Sequence, residues 1–134
     1  MSGTSLPTTG PGPRVVLHAD DSGSVRRWVA DQLGGPATGL KVVSVTDGDA
    51  ALGFLRASPC DLLLTDLEMP RLDGLELLAA ARGLPSHRFL PVLVLSSKGP
   101  DECRPERRRG VTGWLVKPVD AEHLRRWVRR ALPG

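Results

Sequence analysis

Asp61-Leu62-Leu63-Leu64-Thr65-Asp66-Leu67-Glu68-Met69-Pro70 decides the fold. An unbroken apolar run of strand length, with no polar alternation, marks a strand buried on both faces, as in a parallel sheet covered by helices. The run ends in a carboxylate, Asp66, and a proline turn follows it. Beyond the turn Asp73 is placed to cap a helix whose Leu75, Leu77, Leu78 and Ala81 recur at helical spacing, up to a stop at Gly83 and Pro85. Three more runs end in polar groups: Val15-Val16-Leu17 into Asp20-Asp21, Val92-Leu93-Val94-Leu95 into Ser96-Ser97, and Trp114-Leu115-Val116 into Lys117-Pro118. In parallel, these strands gather three carboxylates, a hydroxyl and an ammonium at one sheet edge. Ligands of open α/β sheets bind at that edge. The residue types suit a divalent cation and a phosphoryl group.

Working outward, strand-like runs alternate with helix-period segments, which is the signature of repeated βαβ units. Strands are expected over Val15 to Ala19, Leu40 to Val45, Asp61 to Thr65, Leu90 to Leu95 and Gly113 to Val116. Helices are expected over Ser22 to Leu33, Asp49 to Ala57, Asp73 to Gly83 and from Asp120 to Leu132. A fifth helix, fourth in chain order, has to fit between Gly99 and Thr112, where Cys103 and Val111 are the only apolar side chains and Pro100 and Pro105 interrupt. No amphipathic face of three turns can be drawn there. That helix is expected to be short or irregular, with Pro105 as its first residue and Gly110 just past its end.

The chain has 134 residues, room for one domain of common size. Residues 1–13 are mostly Gly, Pro, Ser and Thr; they read as a disordered arm without the charged start and apolar core of a signal peptide. No run approaches the ~18 apolar residues of a membrane span, so a cytoplasmic protein is expected. Cys60 and Cys103 have no metal-site spacing and read as two reduced thiols. The net charge of +3 is uneven. From Lys98 onward ten Lys or Arg face five Asp or Glu, while residues 1–97 carry eight basic against ten acidic groups.

Several pieces match one family: Asp20-Asp21-Ser22-Gly23-Ser24-Val25-Arg26, Thr46-Asp47-Gly48 with Ala51-Leu52, Asp66-Leu67-Glu68-Met69-Pro70 with Leu72-Asp73-Gly74-Leu75-Glu76, Ser96-Ser97-Lys98, and Gly113-Trp114-Leu115-Val116-Lys117-Pro118. The chain resembles the receiver domain of bacterial response regulators, from about Arg14 to Leu132. The resemblance implies a CheY-like, flavodoxin-like doubly wound α/β fold, with five parallel strands in order 2-1-3-4-5 and five helices. It makes Asp66 the phosphoacceptor nucleophile and Asp21 and Asp66 direct ligands of Mg²⁺. It gives Asp20 a water-mediated contact and a further ligand to the backbone carbonyl of Glu68. Lys117 and Ser96 would hold phosphoryl oxygens, and Ser96 with the aromatic position Trp114 would form the switch. Glu68 and Lys98 would tune phosphoryl loss. The donor would be a sensor histidine kinase or a phosphotransfer protein, and the output a downstream protein contacting the fourth helix, fifth strand and last helix.

Trp114 stands where the family usually has Tyr or Phe, and Arg104, Arg107, Arg108 and Arg109 stand where aliphatic residues usually pack. The expected activity is that of a single-domain, Mg²⁺-dependent response regulator. The alternative is a receiver that works unphosphorylated as an adaptor, or as a phosphate sink. With no interleaved aromatic platform beside the arginines, nucleic acid is not the expected partner.

Overall fold

The structure, a computed structural model, describes residues 12–133. Of the arm expected over residues 1–13, residues 1–11 lie outside the described residues. Five strands, β1 (Arg14–Ala19), β2 (Leu40–Val45), β3 (Leu62–Asp66), β4 (Val92–Ser96) and β5 (Gly113–Val116), form one parallel sheet in the order β2-β1-β3-β4-β5. The α-helices are α1 (Gly23–Leu33), α2 (Gly48–Ala57), α3 (Gly74–Arg82) and α4 (Ala121–Ala131).

Each helix begins where a side chain satisfies its first free N–H groups. Ser22 accepts from Val25, Asp47 from Ala50 and Asp120 from His123. At α3 the box is reciprocal: Asp73 accepts from the Leu75 and Glu76 amides, and the Glu76 carboxylate takes the Asp73 N–H at 2.8 Å.

Alternation along the strands divides the core into two layers. Leu17, Ala19, Leu63, Val92 and Val94 pack on one face with Leu55, Leu75, Leu77, Leu78 and Ala81 of α2 and α3. Val16, Leu62, Leu64, Leu93, Leu95 and Leu115 pack on the other with Val29, Leu33, Leu124 and Val128 of α1 and α4. Leu62, Leu63 and Leu64 are fully buried, each contributing about 2 kcal/mol from removal of apolar surface. This three-layer clamp holds the carboxyl end of β3 in place.

Two expectations need correction. There are four α-helices among the described residues, not five. The segment expected to hold a helix from Pro105 makes one 3₁₀ turn at Pro100–Glu102 and then turns as far as Gly110, whose φ of 89° is left-handed. Without an apolar stripe no face pays for helix formation, and glycine alone takes that φ without strain. Polar tethers hold the segment instead. Arg107 donates to both carboxylate oxygens of Asp73 at 3.0 and 2.8 Å, and Arg82 donates to the carbonyls of Gly110, at 2.9 Å, and Leu90. The other correction is at the starts of β3 and β4. Asp61 precedes β3, its carboxylate accepting the Val15 N–H at 2.7 Å, and Leu90 closes a turn onto His87 rather than opening β4.

Candidate functional site

β1 and β3 are neighbours and end in register, so Asp20 and Asp21 meet Asp66 at the sheet edge. One carboxylate oxygen from each lies within 4.8 Å of the others. Asp20 is fully buried, Asp66 nearly so, and Asp21 exposed. β4 delivers Ser96 and the loop after β5 delivers Lys117, whose Nζ stands 3.6 Å from both Asp20 Oδ2 and Asp66 Oδ1. The Lys117-Pro118 peptide is cis, a geometry largely confined to bonds before proline.

One cation faces three carboxylates. Burial pushes the Asp66 carboxyl above its usual range; Lys117 opposes that and Asp20 adds to it. Asp20 Oδ1 accepts the Ser22 N–H at 2.9 Å, whereas Oδ2 is buried without any hydrogen bond. An orphaned buried carboxylate oxygen, facing two more carboxylates across a gap open to solvent at Asp21, suits a hard divalent cation with oxygen ligands and retained water.

α3 starts directly beneath Asp66. The Gly74 N–H donates to Leu67 O at 2.8 Å, and a Cβ at Gly74 would overlap the Asp66 carbonyl oxygen and lie 3.2 Å from the Leu67 Cα. Glycine is required there by close approach. Ser96 is buried; its Oγ accepts the Lys98 N–H at 3.0 Å, which leaves its own proton free to donate into the pocket. The Lys98 ammonium and the Glu68 carboxylate pair at 2.8 Å across the pocket mouth, both largely exposed. The Trp114 indole N–H donates to the Lys98 carbonyl at 2.7 Å, so Lys98 links Ser96 to Trp114 through its backbone. All the residues singled out from sequence, Asp20, Asp21, Asp66, Glu68, Ser96, Lys98, Trp114 and Lys117, therefore fall in one connected region.

Sequence reasoning passed over three contributors. His18 lies fully buried on β1 with no hydrogen bond to either ring nitrogen, its Nε2 3.8 Å from Asp20 Oδ2. Burial pushes its pKa down to about 4, against the pull of Asp20, so it is neutral. A lone polar residue inside an otherwise apolar strand was the available signal. Arg26 donates to the Asp20 carbonyl at 2.8 Å and fixes the turn after β1. Asp73, read as a cap, also receives Arg107. A cleft of about 610 Å³, with Cys60, His87 and Phe89 in its wall, is at the opposite end of the sheet and shares no residue with this site.

With fold and site in place, a family description for the response regulator receiver domain matches residues 16–129. The chain belongs to that family. It is 30% identical over 116 residues to the chemotaxis protein CheY of Pseudomonas aeruginosa, covering 86% of this chain and 93% of that one. It is 36% identical over 111 residues to the cyclic di-GMP phosphodiesterase response regulator RpfG of Xanthomonas campestris, covering 82% of this chain but 29% of that protein. A further relative, the sensor histidine kinase TmoS of Ectopseudomonas mendocina, is covered over 12% of its length; the chain spans only a fraction of these longer proteins. Among solved structures, chemotaxis protein CheY4 of Vibrio cholerae superposes with a TM-score of 0.81 at 32% identity, covering 90% of this chain and 100% of that one. The receiver domain of a sensor histidine kinase from Pseudomonas aeruginosa, described with a magnesium ion in its active site cleft, shares the fold at a TM-score of 0.74 and 22% identity, covering 90% and 98%. No helix of the described residues is long and apolar enough to cross a membrane.

Proposed function

We propose that this receiver is a phosphoryl-accepting switch in a two-component relay, with Asp66 as acceptor and Mg²⁺ as its cation. The observation that carries the reading is the meeting of Asp20, Asp21 and Asp66 with Lys117 3.6 Å from two of them. Asp21, Asp66 and the Glu68 carbonyl would hold the ion directly and Asp20 through water. When bound, Mg²⁺ supplies charge neutralisation for the carboxylates and for the phosphoryl oxygens.

The chain's own groups divide the rest of the work. An Asp66 carboxylate oxygen attacks the phosphorus of a phosphohistidine on a sensor kinase or phosphotransfer protein. A P–O bond forms, the P–N bond breaks, and the imidazole departs. Lys117 and the Ser96 hydroxyl hold equatorial oxygens. Hydrolysis reverses the acceptor's role: water attacks phosphorus, the bond to Asp66 breaks, and carboxylate and orthophosphate remain. The Glu68–Lys98 pair stands at the entry of that water and slows it.

Coupling to output runs from Ser96 through Lys98 to Trp114. If Ser96 Oγ turns to a phosphoryl oxygen, the Lys98 N–H loses its acceptor, and the Lys98 carbonyl that holds the Trp114 indole shifts with it. The face formed by residues 99–112, β5 and α4 then changes affinity for a downstream protein. The hydrogen-bonded Trp114 also favours the second reading, an adaptor or phosphate sink whose output face stays in one state. The test is intact mass after incubation with a small phosphodonor. One phosphoryl group is expected with Mg²⁺ and none with chelator or in Asp66→Asn. Labelling of Asp66→Asn on another aspartate would overturn the assignment.

A further inference from the structure

The basic C-terminal third is divided between segment 99–112 and the last helix, on either side of β5. Segment 99–112 carries Arg104, Arg107, Arg108 and Arg109, and α4 carries Arg125, Arg126, Arg129 and Arg130. Among the described residues only Arg107, to Asp73, and Arg126, to Glu122, have a carboxylate within ion-pair distance. Arg108 and Arg125 reach neutral acceptors, the Cys103 carbonyl and the Gln32 side chain. Six arginines are left without an anionic partner, and their mutual repulsion favours anything that brings carboxylates to them.

Arg125 and Arg129 face α1 and the start of β2, whereas Arg109 and Arg130 flank an apolar strip. β5 is an edge strand, so among the described residues no strand pairs with its outer row of N–H and C=O groups. The Trp127 ring packs against Gly113, and His123, Arg126 and Arg130 share the Trp127 flank of α4 at helical spacing. On the other side the Val111 N–H bonds back to the Arg108 carbonyl just before β5 begins, with Arg109 exposed beside it. Between the two flanks Trp114 and Val116 point to the same face of the sheet by alternation. Trp114 is half-buried, and Val116 is 47% exposed because segment 99–112 is tethered toward α3 and does not cover it.

Resting on the reading that this face is the output surface, we infer that its partner is an acidic protein segment, carboxylates on either side of an aliphatic anchor that seats on Val116. Arginine and tryptophan are the side chains from which interface anchors are most often made. The apolar strip between the flanks distinguishes this surface from one built for a phosphate backbone, which is bound by charge alone.

A fluorescein-labelled synthetic peptide alternating Glu and Leu is the probe, titrated by anisotropy against the full chain, with a Gln/Leu peptide and random duplex DNA as comparators. The acidic peptide is expected to bind saturably and the neutral one not. Arg109→Glu/Arg130→Glu should weaken binding about tenfold, the effect of two exposed ion pairs turned repulsive, and Val116→Asp should weaken it further. Lys41→Glu/Arg56→Glu, the same charge change on β2 and α2 toward the other edge of the sheet, should leave affinity within about twofold, since β2 stands four strand spacings of ~4.8 Å from β5, well beyond the screening length of about 8–10 Å. Circular dichroism melting confirms that each variant is folded. Equal loss in both double variants, no binding of the acidic peptide, or tighter binding of DNA would overturn the inference. Intact mass on the same samples reads Asp66 phosphorylation separately. A labelled protein that ignores the peptide defeats this inference alone, and an unlabelled one defeats only the phosphoacceptor reading.

Discussion

Gly74→Ala should damage stability and chemistry together. α3 begins so close to β3 that a methyl at this position overlaps the Asp66 carbonyl oxygen and stands 3.2 Å from both the Asp66 carbonyl carbon and the Leu67 Cα. Those neighbours are backbone, clamped between two helical layers, so they cannot rotate away. Overpacking of this kind costs about 1–3 kcal/mol, and separation of α3 from β3 strains the Gly74 N–H bond to Leu67 O at 2.8 Å, worth about 1 kcal/mol. Alanine returns up to about 1 kcal/mol by limiting the unfolded chain. The net loss is about 2 kcal/mol, a fall in melting temperature of about 7 °C for a domain of this size. Displacement of the Asp66 main chain moves its carboxylate relative to Lys117, and a shift of about 1 Å in a reacting group can cost about a hundredfold in rate. Urea denaturation reads the first effect, and the rate of phosphoryl labelling with a small donor reads the second. Gly53→Ala is the control: Gly53 lies within α2 with open space at its Cβ, and alanine there should stabilise by about 0.5–1 kcal/mol. A Gly74→Ala protein as stable and as readily labelled as wild type would refute the close-approach argument.

His18→Leu should raise the urea midpoint by about 1 kcal/mol in stability, since it removes two buried ring nitrogens that bond to nothing; a lowered midpoint would mean that the imidazole has a structural partner. Segment 99–110 is held by Arg82 and Arg107 rather than by apolar burial. Its amides should exchange much faster than those of α3 and α4, and faster again in Arg107→Ala; protection equal to that of the helices would show a well-packed element. Burial pushes the Cys60 thiol up to about 11. Its thiolate fraction therefore keeps rising with pH through 9 and 10, so its alkylation should be slow at pH 8, accelerate steadily with pH, and lag well behind that of the half-exposed Cys103. Two thiols reacting at one rate in the native protein would contradict the buried placement.

Local sequence was enough for the elements whose fate is decided locally. The Leu62-Leu63-Leu64 run could only be a strand covered on both sides, and Asp73 and Asp120 each announced a helix start that their side chains do cap; Ser22, read as the first helical residue, and Asp47, read as a turn, prove to be caps as well. The gathering of Asp20, Asp21, Asp66, Ser96 and Lys117 was legible for the same reason: each stands at the end of an apolar run, and the parallel order brings those ends together. Segment 99–112 was legible only in the negative, as a stretch unable to bury a helical face. What it does instead depends on Asp73 and Arg82, 34 and 28 residues away along the chain, and long-range polar partners leave no periodicity to read. The same holds for the bond from Trp114 to Lys98, for the unpartnered His18 beside Asp20, and for the exposure of Val116 between two rows of arginine. Periodicity and capping are properties of neighbouring residues, so the sequence by itself determined the strands, the helices and the edge at which the aspartates gather. Burial, charge pairing and close approach join residues that the chain keeps far apart, and these only the tertiary structure decided.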